Sequence, residues 1–138
     1  MKIALMVRRE VQAVIFDGVG NEKKVLILKK IDYSARRHRW RLLKGGLHNS
    51  ETEIQGLERE IFEETGLRNI EMLGKVQTYE FSFRGVKHLV SSYLVKADSR
   101  EPIKLQKSEV ADYAWTTKRE ALQMLYWNNE KYALAYLK

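Results

Sequence analysis

Three glutamates crowd one short stretch of the sequence, at Glu60, Glu63 and Glu64. If this stretch is a helix that ends at Gly66, the three carboxylates share one face of its last turns, where the helix dipole favours cations instead. Like charges at this spacing also repel one another. Mg²⁺ would neutralise them, because it binds carboxylate oxygens and shares its other positions with water and phosphate oxygens. The glutamates therefore indicate a candidate metal site, with a solvated acidic surface as the alternative.

The residues upstream of the glutamates favour the metal site. Gly45 is followed after five residues by Glu51, and after seven more by the run Arg59 to Leu67. This spacing fits the Nudix box G-x5-E-x7-R-E-U-x-E-E-x-G-U, in which U is aliphatic, at every specified position. At about 7% usage for each fixed residue, chance agreement at one starting point is on the order of one in a hundred million. The chain therefore resembles the Nudix family, directly over these 23 residues and more weakly over most of the remainder.

The resemblance implies hydrolysis of nucleoside diphosphates linked to another moiety, with Mg²⁺ or Mn²⁺ as cofactor. It implies that Glu60 and Glu64 are metal ligands, and that Glu63 is a ligand that also acts in proton transfer. The backbone carbonyl of Lys44 or Gly45 corresponds to a further ligand. Metals that bridge phosphate oxygens shield the anion and lower the pKa of the attacking water. We expect Glu64→Gln to abolish hydrolysis and to leave the fold intact or slightly more stable, because it removes a repelling charge.

Three further residues are candidates for catalysis. Arg59 and Glu51 correspond to the pair that braces the box glutamates in the family. Family members often carry another carboxylate in a loop before a tryptophan. The segment from Ser108 to Trp115 resembles that loop, so Glu109 is a candidate general base or additional metal ligand, with an ordinary surface glutamate as the alternative.

The substrate is less narrowly indicated than the class of enzyme. Lys44, Arg39 and Arg41 would suit an anionic phosphate chain, and an aromatic side chain such as Tyr79 or Tyr93 would stack on a nucleobase. Lys44 before Gly45, the strand segments around Tyr79 and Tyr93, and the closing Trp115 with two helices after it resemble the diadenosine polyphosphate (Ap4A-type) branch. That resemblance implies hydrolysis of Ap4A to ATP and AMP.

Other functions remain open at this point. One is a MutT-like pyrophosphohydrolase of nucleoside triphosphates, and another acts on the 5′ end of RNA. The net charge of +7 permits a nucleic acid partner, although the sequence shows no arginine-aromatic nucleic-acid module, so RNA is not favoured. The third is a non-catalytic nucleotide-binding module, which the intact glutamates disfavour.

Composition bounds the class of protein. A length of 138 residues with 44% hydrophobic residues predicts one folded domain over residues 1–138. The absence of cysteine excludes disulfides, thiolate zinc sites and cysteine nucleophiles. The sequence has neither an export signal nor an apolar run long enough to cross a membrane, so we expect a cytoplasmic protein, as a monomer or a homodimer.

Hydrophobic patterning predicts the elements that position these residues. Strands are predicted over residues 11–16, 24–30, 75–83 and 86–95, and helical segments over 51–65 and within 117–137, with a break at Asn128 and Asn129. The four strands form two hairpins, and residues 32–47 form an irregular, cation-lined loop. This order favours an α+β fold, and the family resemblance implies an α/β/α sandwich with a mixed central β-sheet.

The helix over the box has the clearest boundaries. Gly66 is its predicted end, and Asn49 or Ser50 is its predicted N-cap. Ile54, Leu57 and Ile61 lie on one helical stripe, which predicts the face that packs on the sheet.

Overall fold

The computed structural model describes residues 6–138, which form one mixed β-sheet with helices on both faces. The strands are β1 (Met6–Asp17), β2 (Lys24–Asp32), β3 (Arg37–Arg41), β4 (Leu43–Gly46), β5 (Ile70–Phe83), β6 (Val86–Ala97) and β7 (Val110–Thr117). The helices are α1 (Glu53–Thr65), α2 (Lys118–Met124) and α3 (Asn128–Ala135). None of these helices is long and apolar enough to cross a membrane.

Strand β1 lies at the centre of the seven-stranded sheet. The main path runs β3-β2-β1-β6-β5, while β4 also pairs with β1 and β7 also pairs with β2. The β1–β6 pairing is parallel, and the others are antiparallel. Both predicted hairpins are confirmed, since β1 pairs with β2 and β5 with β6. Arg84 and Gly85 turn the second hairpin with positive φ at both residues, as a two-residue hairpin turn requires.

Two hydrophobic cores lie on opposite faces of the sheet, because successive side chains of β1 point to opposite sides. Val11, Ala13 and Ile15 belong to the core that α1 covers, with Leu57 and Ile61 from the helix. The core that α2 and α3 cover is built from Val14, Phe16, Val25, Ile27, Leu42, Ala121, Leu125, Ala133, Leu134 and Leu137. The expected α+β sandwich with a mixed sheet is therefore confirmed.

Several predicted segments differ from the structure. Residues 32–47 are not an irregular loop, because they contain β3 and β4. Their exposed cations hide the alternation that marks a strand, and pairing with β2 and β1 overrides weak local propensity. Strand β7 was also missed. It pairs with β2, although the three consecutive exposed residues Ala111, Asp112 and Tyr113 break the alternation that marks a half-buried strand.

The helix boundaries differ by a few residues. Thr52, and not Asn49 or Ser50, caps α1, and its side chain and that of Gln55 hydrogen-bond each other's backbone N–H. This capping box satisfies two backbone N–H donors at once, whereas a single N-cap residue such as Asn49 or Ser50 would satisfy only one. Gly66 ends α1 in the left-handed conformation, as predicted. The break near the C-terminus lies before Asn128, which begins α3.

Candidate active site

Helix α1 places the three glutamates at three different depths. Glu64 is 3% exposed, because it continues the buried stripe of Leu57 and Ile61 at i+7 and i+3. Glu60 is half-buried, and the Glu63 side chain is 42% exposed. The acidic face therefore runs from the core to the surface.

The Glu64 carboxylate is only partly satisfied. Its Oε1 accepts a hydrogen bond from Lys30 Nζ at 2.6 Å, whereas its Oε2 is buried and makes no hydrogen bond within residues 6–138. Burial raises the pKa of Glu64, the Lys30 charge opposes this effect, and the charges of Glu60 and Glu109 raise the pKa further. A buried carboxylate oxygen without a donor is costly unless a ligand satisfies it.

Glu60 lies in a cradle formed by Gly45. A Cβ atom at position 45 would overlap the Glu60 carboxylate, so only glycine leaves room for this side chain. Gly45 pairs with Val11 of the central strand, which fixes the cradle to the sheet.

Arg59 hydrogen-bonds to three carboxylates of the box, those of Glu51, Glu60 and Glu63. Its Nε and Nη2 donate to the two oxygens of Glu51 at 2.6 and 2.9 Å. Its Nη1 donates to Glu60 at 2.8 Å and to Glu63 at 3.2 Å, and Nη2 also donates to the Gly46 carbonyl. The hydrogen bonds from Arg59 lower the pKa of Glu51 to about 2. The structure therefore brings the predicted bracing pair into direct contact with the box glutamates.

Glu109 lies beside this cluster although it is 45 residues from Glu64. It directly precedes Val110, which pairs with Lys30 across β7 and β2. The backbone N–H of Gln106 donates to the Glu64 carbonyl, and Glu109 N–H donates to the Gln106 carbonyl. This short turn holds Glu109 exposed at the edge of the acidic cluster.

These residues fit a hard divalent cation. The donors are carboxylates and a backbone carbonyl, one buried carboxylate oxygen lacks a partner, and Gly45 leaves space for Glu60. Yet within residues 6–138 no three acidic or histidine side chains converge as metal ligands do. Glu60 and Glu63 lie on Arg59, and Glu64 lies on Lys30. Binding of a metal ion by these carboxylates therefore requires their side chains to rearrange.

The predicted phosphate-binding cations occupy different positions. Lys44 Nζ lies 4.6 Å from the ring centre of Phe81 and 4.0 Å from Glu10. Because Leu43 packs in the α1 core, the Lys44 side chain points to the other face of the sheet. Only the Lys44 carbonyl faces the acidic cluster, where it accepts a hydrogen bond from Lys30 at 3.2 Å.

The two predicted stacking tyrosines lie on opposite faces of the sheet. Tyr93 is 6% exposed within the α1 core, and its hydroxyl donates to Glu53 at the start of α1. The Tyr79 hydroxyl donates to the buried Gln12 at 3.2 Å. Neither tyrosine contacts the box glutamates in the structure.

The sequence did not predict a cluster in which Arg39 and Trp127 both pack on Tyr126; we call these three residues the aromatic cluster. The Arg39 guanidinium lies 3.8 Å from the Tyr126 ring centre, and Trp127 packs edge-on against Tyr126. Asp32 orients the cluster by accepting hydrogen bonds from Arg39 Nε and Trp127 Nε1, each at 3.0 Å. Asp32 ends β2 two residues after Lys30, so the cluster lies at the same end of β2 as the acidic site. The adjacent aromatic pair at 126 and 127 was the available signal.

Glu130 was also missed, and it holds the predicted cation Arg41. Its carboxylate is 2% exposed and accepts hydrogen bonds from Arg41 Nε at 3.1 Å and from the Leu42 N–H at 2.7 Å. This contact ties α3 to the junction of β3 and β4. Arg41 is therefore already paired in the structure.

Comparison with known proteins identifies the class of domain. The model of the NUDIX domain matches residues 6–137. The crystal structure of a C. elegans Ap4A hydrolase binary complex superposes with a TM-score of 0.80 at 19% identity, covering 93% of each chain. The chain belongs to the Nudix family, and the family and fold expected from the box are confirmed.

Two curated sequence relatives carry the same name. An RNA pyrophosphohydrolase of Sulfurovum sp. is 30% identical over 117 residues, which are 77% of this chain and 73% of that protein. An RNA pyrophosphohydrolase of Bartonella henselae is 39% identical over 57 residues, which are 41% of this chain. The match spans 32% of the Bartonella henselae protein's length, about a third.

Proposed function

We propose that this chain is a Nudix pyrophosphohydrolase that uses Mg²⁺ or Mn²⁺ to hydrolyse a phosphoanhydride bond in a nucleoside-linked polyphosphate. The observation that carries the proposal is Glu64, which is 3% exposed and whose Oε2 lacks a partner within residues 6–138. It lies in a cluster that contains the charged residues at the specified positions of the box, which are Glu51, Arg59, Glu60, Glu63 and Glu64. A carboxylate kept buried in this way is costly for stability alone and useful for binding a cation.

Different residues of the chain would bind the metal ion and position its ligands. When bound, a divalent ion supplies charge for the phosphate oxygens and lowers the pKa of the attacking water. Glu60, Glu63 and Glu64 would hold the ion, together with the Lys44 or Gly45 carbonyl. Arg59 fixes the direction of Glu60 and Glu63 through its hydrogen bonds.

Proton transfer is assigned to Glu109. Its carboxylate is exposed at the edge of the acidic cluster, and its charge acts on Glu64. A carboxylate there can accept the proton that the attacking water loses. Glu63, the most exposed glutamate of the cluster on α1, remains the second candidate for this step.

We propose a dinucleoside polyphosphate such as Ap4A as the preferred substrate, with ATP and AMP as products. The support is the aromatic cluster, since the half-exposed Tyr126 and Trp127 offer rings on which adenine can stack. Arg39 lies against the Tyr126 ring and its Nε is paired with Asp32, so its remaining N–H groups would contact the phosphate chain. The similar C. elegans structure is named an Ap4A hydrolase, which agrees with this proposal.

RNA with a 5′ triphosphate is the second candidate. The curated relatives are named RNA pyrophosphohydrolases, and the net charge of +7 favours a polyanion. Arg36, Arg37 and His38 are exposed next to the aromatic cluster, where they would contact phosphates of a longer strand.

A substrate panel tests the proposal and separates the candidates. Ap4A, ATP, 8-oxo-dGTP, ADP-ribose and triphosphorylated RNA are incubated with Mg²⁺, and the products are analysed by chromatography. We expect ATP and AMP from Ap4A at the highest kcat/KM. A higher kcat/KM for triphosphorylated RNA would select the second candidate, and turnover of monomeric triphosphates alone would reject both.

The site is tested with Glu64→Gln against Glu58→Gln. Both residues lie on α1, but Glu58 is exposed. We expect Glu64→Gln to lower kcat by at least about a thousandfold, because one charged ligand is lost, and Glu58→Gln to leave kcat within about twofold. Equal activity of the two variants would reject the site. Since Glu64 is paired with Lys30, we now expect its variant to be less stable, by about 1 to 3 kcal/mol, and not slightly more stable as repulsion alone suggested.

A further inference from the structure

Lys30 lies inside the acidic site although it is not part of the box. Leu26 and Leu28 of β2 pack in the core under α1, so the Lys30 side chain emerges on the same face of the sheet. Its Nζ lies 2.6 Å from Glu64 Oε1 and 3.2 Å from the Lys44 carbonyl oxygen. Only 15% of the Lys30 side chain is exposed. The ammonium therefore connects Glu64 of α1 with the Lys44 carbonyl of β4.

The Glu64 carboxylate and the Lys44 carbonyl, whose oxygens bind this ammonium, are among the groups from which the proposed function draws the metal ligands. We propose that Lys30 is a built-in cation that occupies these oxygens in the metal-free protein and is displaced when a divalent ion binds. The inference rests on the proposed function, which makes Glu64 a metal ligand, and it takes the Lys44 carbonyl as the backbone ligand of the two that this function allows.

The ammonium and a divalent ion cannot share these oxygens at low cost. Mg²⁺ binds oxygen at about 2.0 to 2.1 Å, so an ion on both Glu64 and the Lys44 carbonyl would lie within about 4 Å of Lys30 Nζ. Two cations at that separation repel strongly where water is largely excluded. The Lys30 side chain has four methylene groups and can swing its ammonium away, whereas α1 and β4 are fixed by their packing.

Lys30 also explains how the metal-free chain tolerates Glu64. Without a neighbouring cation, this carboxylate would be buried beside Leu57 and Ile61 with no compensating charge. Lys30 keeps the carboxylate in place before the metal binds. The consequence is a weaker apparent metal affinity, since binding must first open the ion pair and only the open fraction of the protein is competent.

Lys30→Met tests the displacement, and Lys29→Met is the matched control. Each variant removes one lysine from adjacent positions of β2. Lys29, however, points to the other face, where its Nζ lies 6.0 Å from the ring centre of Trp40. Binding of Mn²⁺ to the intact chain is measured from the free-ion signal in electron paramagnetic resonance. We expect Lys30→Met to lower the Kd for Mn²⁺ by about tenfold or more, and Lys29→Met to change it by less than about twofold.

The outcomes separate this inference from the proposed function. Equal tightening in both variants would show a general charge effect and overturn the role of Lys30, as would an unchanged or weaker affinity in Lys30→Met. If the wild type binds Mn²⁺ and Glu64→Gln abolishes the binding, the metal site stands whichever result Lys30→Met gives. If the wild type binds no Mn²⁺, or Glu64→Gln binds it equally well, the proposed function fails as well.

A measurement on the wild type covers the case in which Lys30→Met does not fold. The chain is labelled with ¹³C and ¹⁵N in lysine, and the Lys30 side-chain resonance is assigned by its loss in Lys30→Arg. We expect this resonance to shift when Mg²⁺ saturates the protein, because its hydrogen bonds to Glu64 and to the Lys44 carbonyl break. A resonance unchanged by saturating Mg²⁺ would overturn the displacement.

Discussion

A Cβ atom added at Gly45 or at Gly46 would meet different neighbours in the site. The Glu60 carboxylate fills the space where a side chain at position 45 would be. At position 46 a Cβ atom would instead lie 2.6 Å from Nη2 of Arg8, the far end of a side chain that is 57% exposed. The Cβ at position 45 would therefore meet a proposed metal ligand, whereas the Cβ at position 46 would meet the end of a long, largely exposed side chain.

This contrast predicts different outcomes for two neighbouring substitutions. Gly45→Ala should lower kcat/KM by about a hundredfold, because displacing a ligand by about 1 Å is enough for a loss of this size. Gly46→Ala should stay within a few-fold of the wild type, since Arg8 can move aside. Steady-state kinetics at saturating Mg²⁺ measure both. Equal losses would mean that the loop, and not the Glu60 cradle, determines the effect.

At the scale of elements, α1 is held to the sheet at its first turn by Glu53. The Glu53 carboxylate accepts hydrogen bonds from Tyr93 at 2.5 Å and from Ser91 at 2.8 Å, both on β6. Lys75 of β5 lies 2.8 Å away. Burial alone would raise the pKa of Glu53, but these contacts outweigh it and lower the pKa to about 2. The orientation of α1 therefore depends on an ionised glutamate.

The lowered pKa predicts an acid-dependent loss of stability. A carboxylate with a folded pKa of about 2 and an ordinary unfolded value stabilises the fold above pH 4.5, and this stabilisation disappears as the pH falls to 2. Urea unfolding of the wild type should lose up to about 3 kcal/mol more than Glu53→Gln between pH 5 and pH 2. Glu58→Gln should follow the wild type. Parallel curves for the wild type and Glu53→Gln would contradict the contact.

Helix α3 depends on Glu130 in a similar way. Because the carboxylate is 2% exposed and binds both Arg41 and the Leu42 N–H, Glu130→Ala leaves the buried Leu42 N–H and the partly buried Arg41 Nε without this acceptor. We expect a loss of about 2 to 4 kcal/mol in the free energy of unfolding by urea. Glu130→Gln keeps one acceptor and should lose roughly half as much. A loss below about 1 kcal/mol in the alanine variant would mean that α3 is held by its apolar contacts alone.

For the whole molecule, we expect the fold to be stable without the proposed metal ion. Each face of the sheet carries its own buried hydrophobic core, and the acidic site lies at the edge of one of them. Lys30 already neutralises the buried Glu64. We therefore expect the chain to differ from small metal-dependent domains, in which the ion supplies the folding free energy.

This architecture predicts that chelation lowers the melting temperature only slightly. With Mg²⁺ at tenfold its Kd, linkage adds about 1.4 kcal/mol, which corresponds to a few degrees for a chain of this size. Differential scanning calorimetry with excess EDTA or with Mg²⁺ should show this difference in the wild type and lose it in Glu64→Gln. Unfolding at room temperature in EDTA would contradict the metal-independent cores.

The sequence alone determined the features that lie close together in the chain. The box spans 23 residues, so helical periodicity was enough to bring Glu60, Glu63 and Glu64 together and to end α1 at Gly66. Local turn signals likewise predicted both hairpins. Strands β3 and β7 were missed because their stability comes from pairing with β2, and a local pattern does not contain its partner.

Only the tertiary structure decided which distant groups meet at the site. Lys30 and Glu64 are 34 residues apart, and Trp127 and Asp32 are 95 apart. The tertiary structure also decided that the two ends of Lys44 lie apart. Its ammonium lies near Phe81 on one face of the sheet, and its carbonyl faces the acidic cluster. Such contacts depend on the register of the strands and the depth of each side chain, and these are fixed when the two cores pack, because packing selects one arrangement among many that local sequence allows equally.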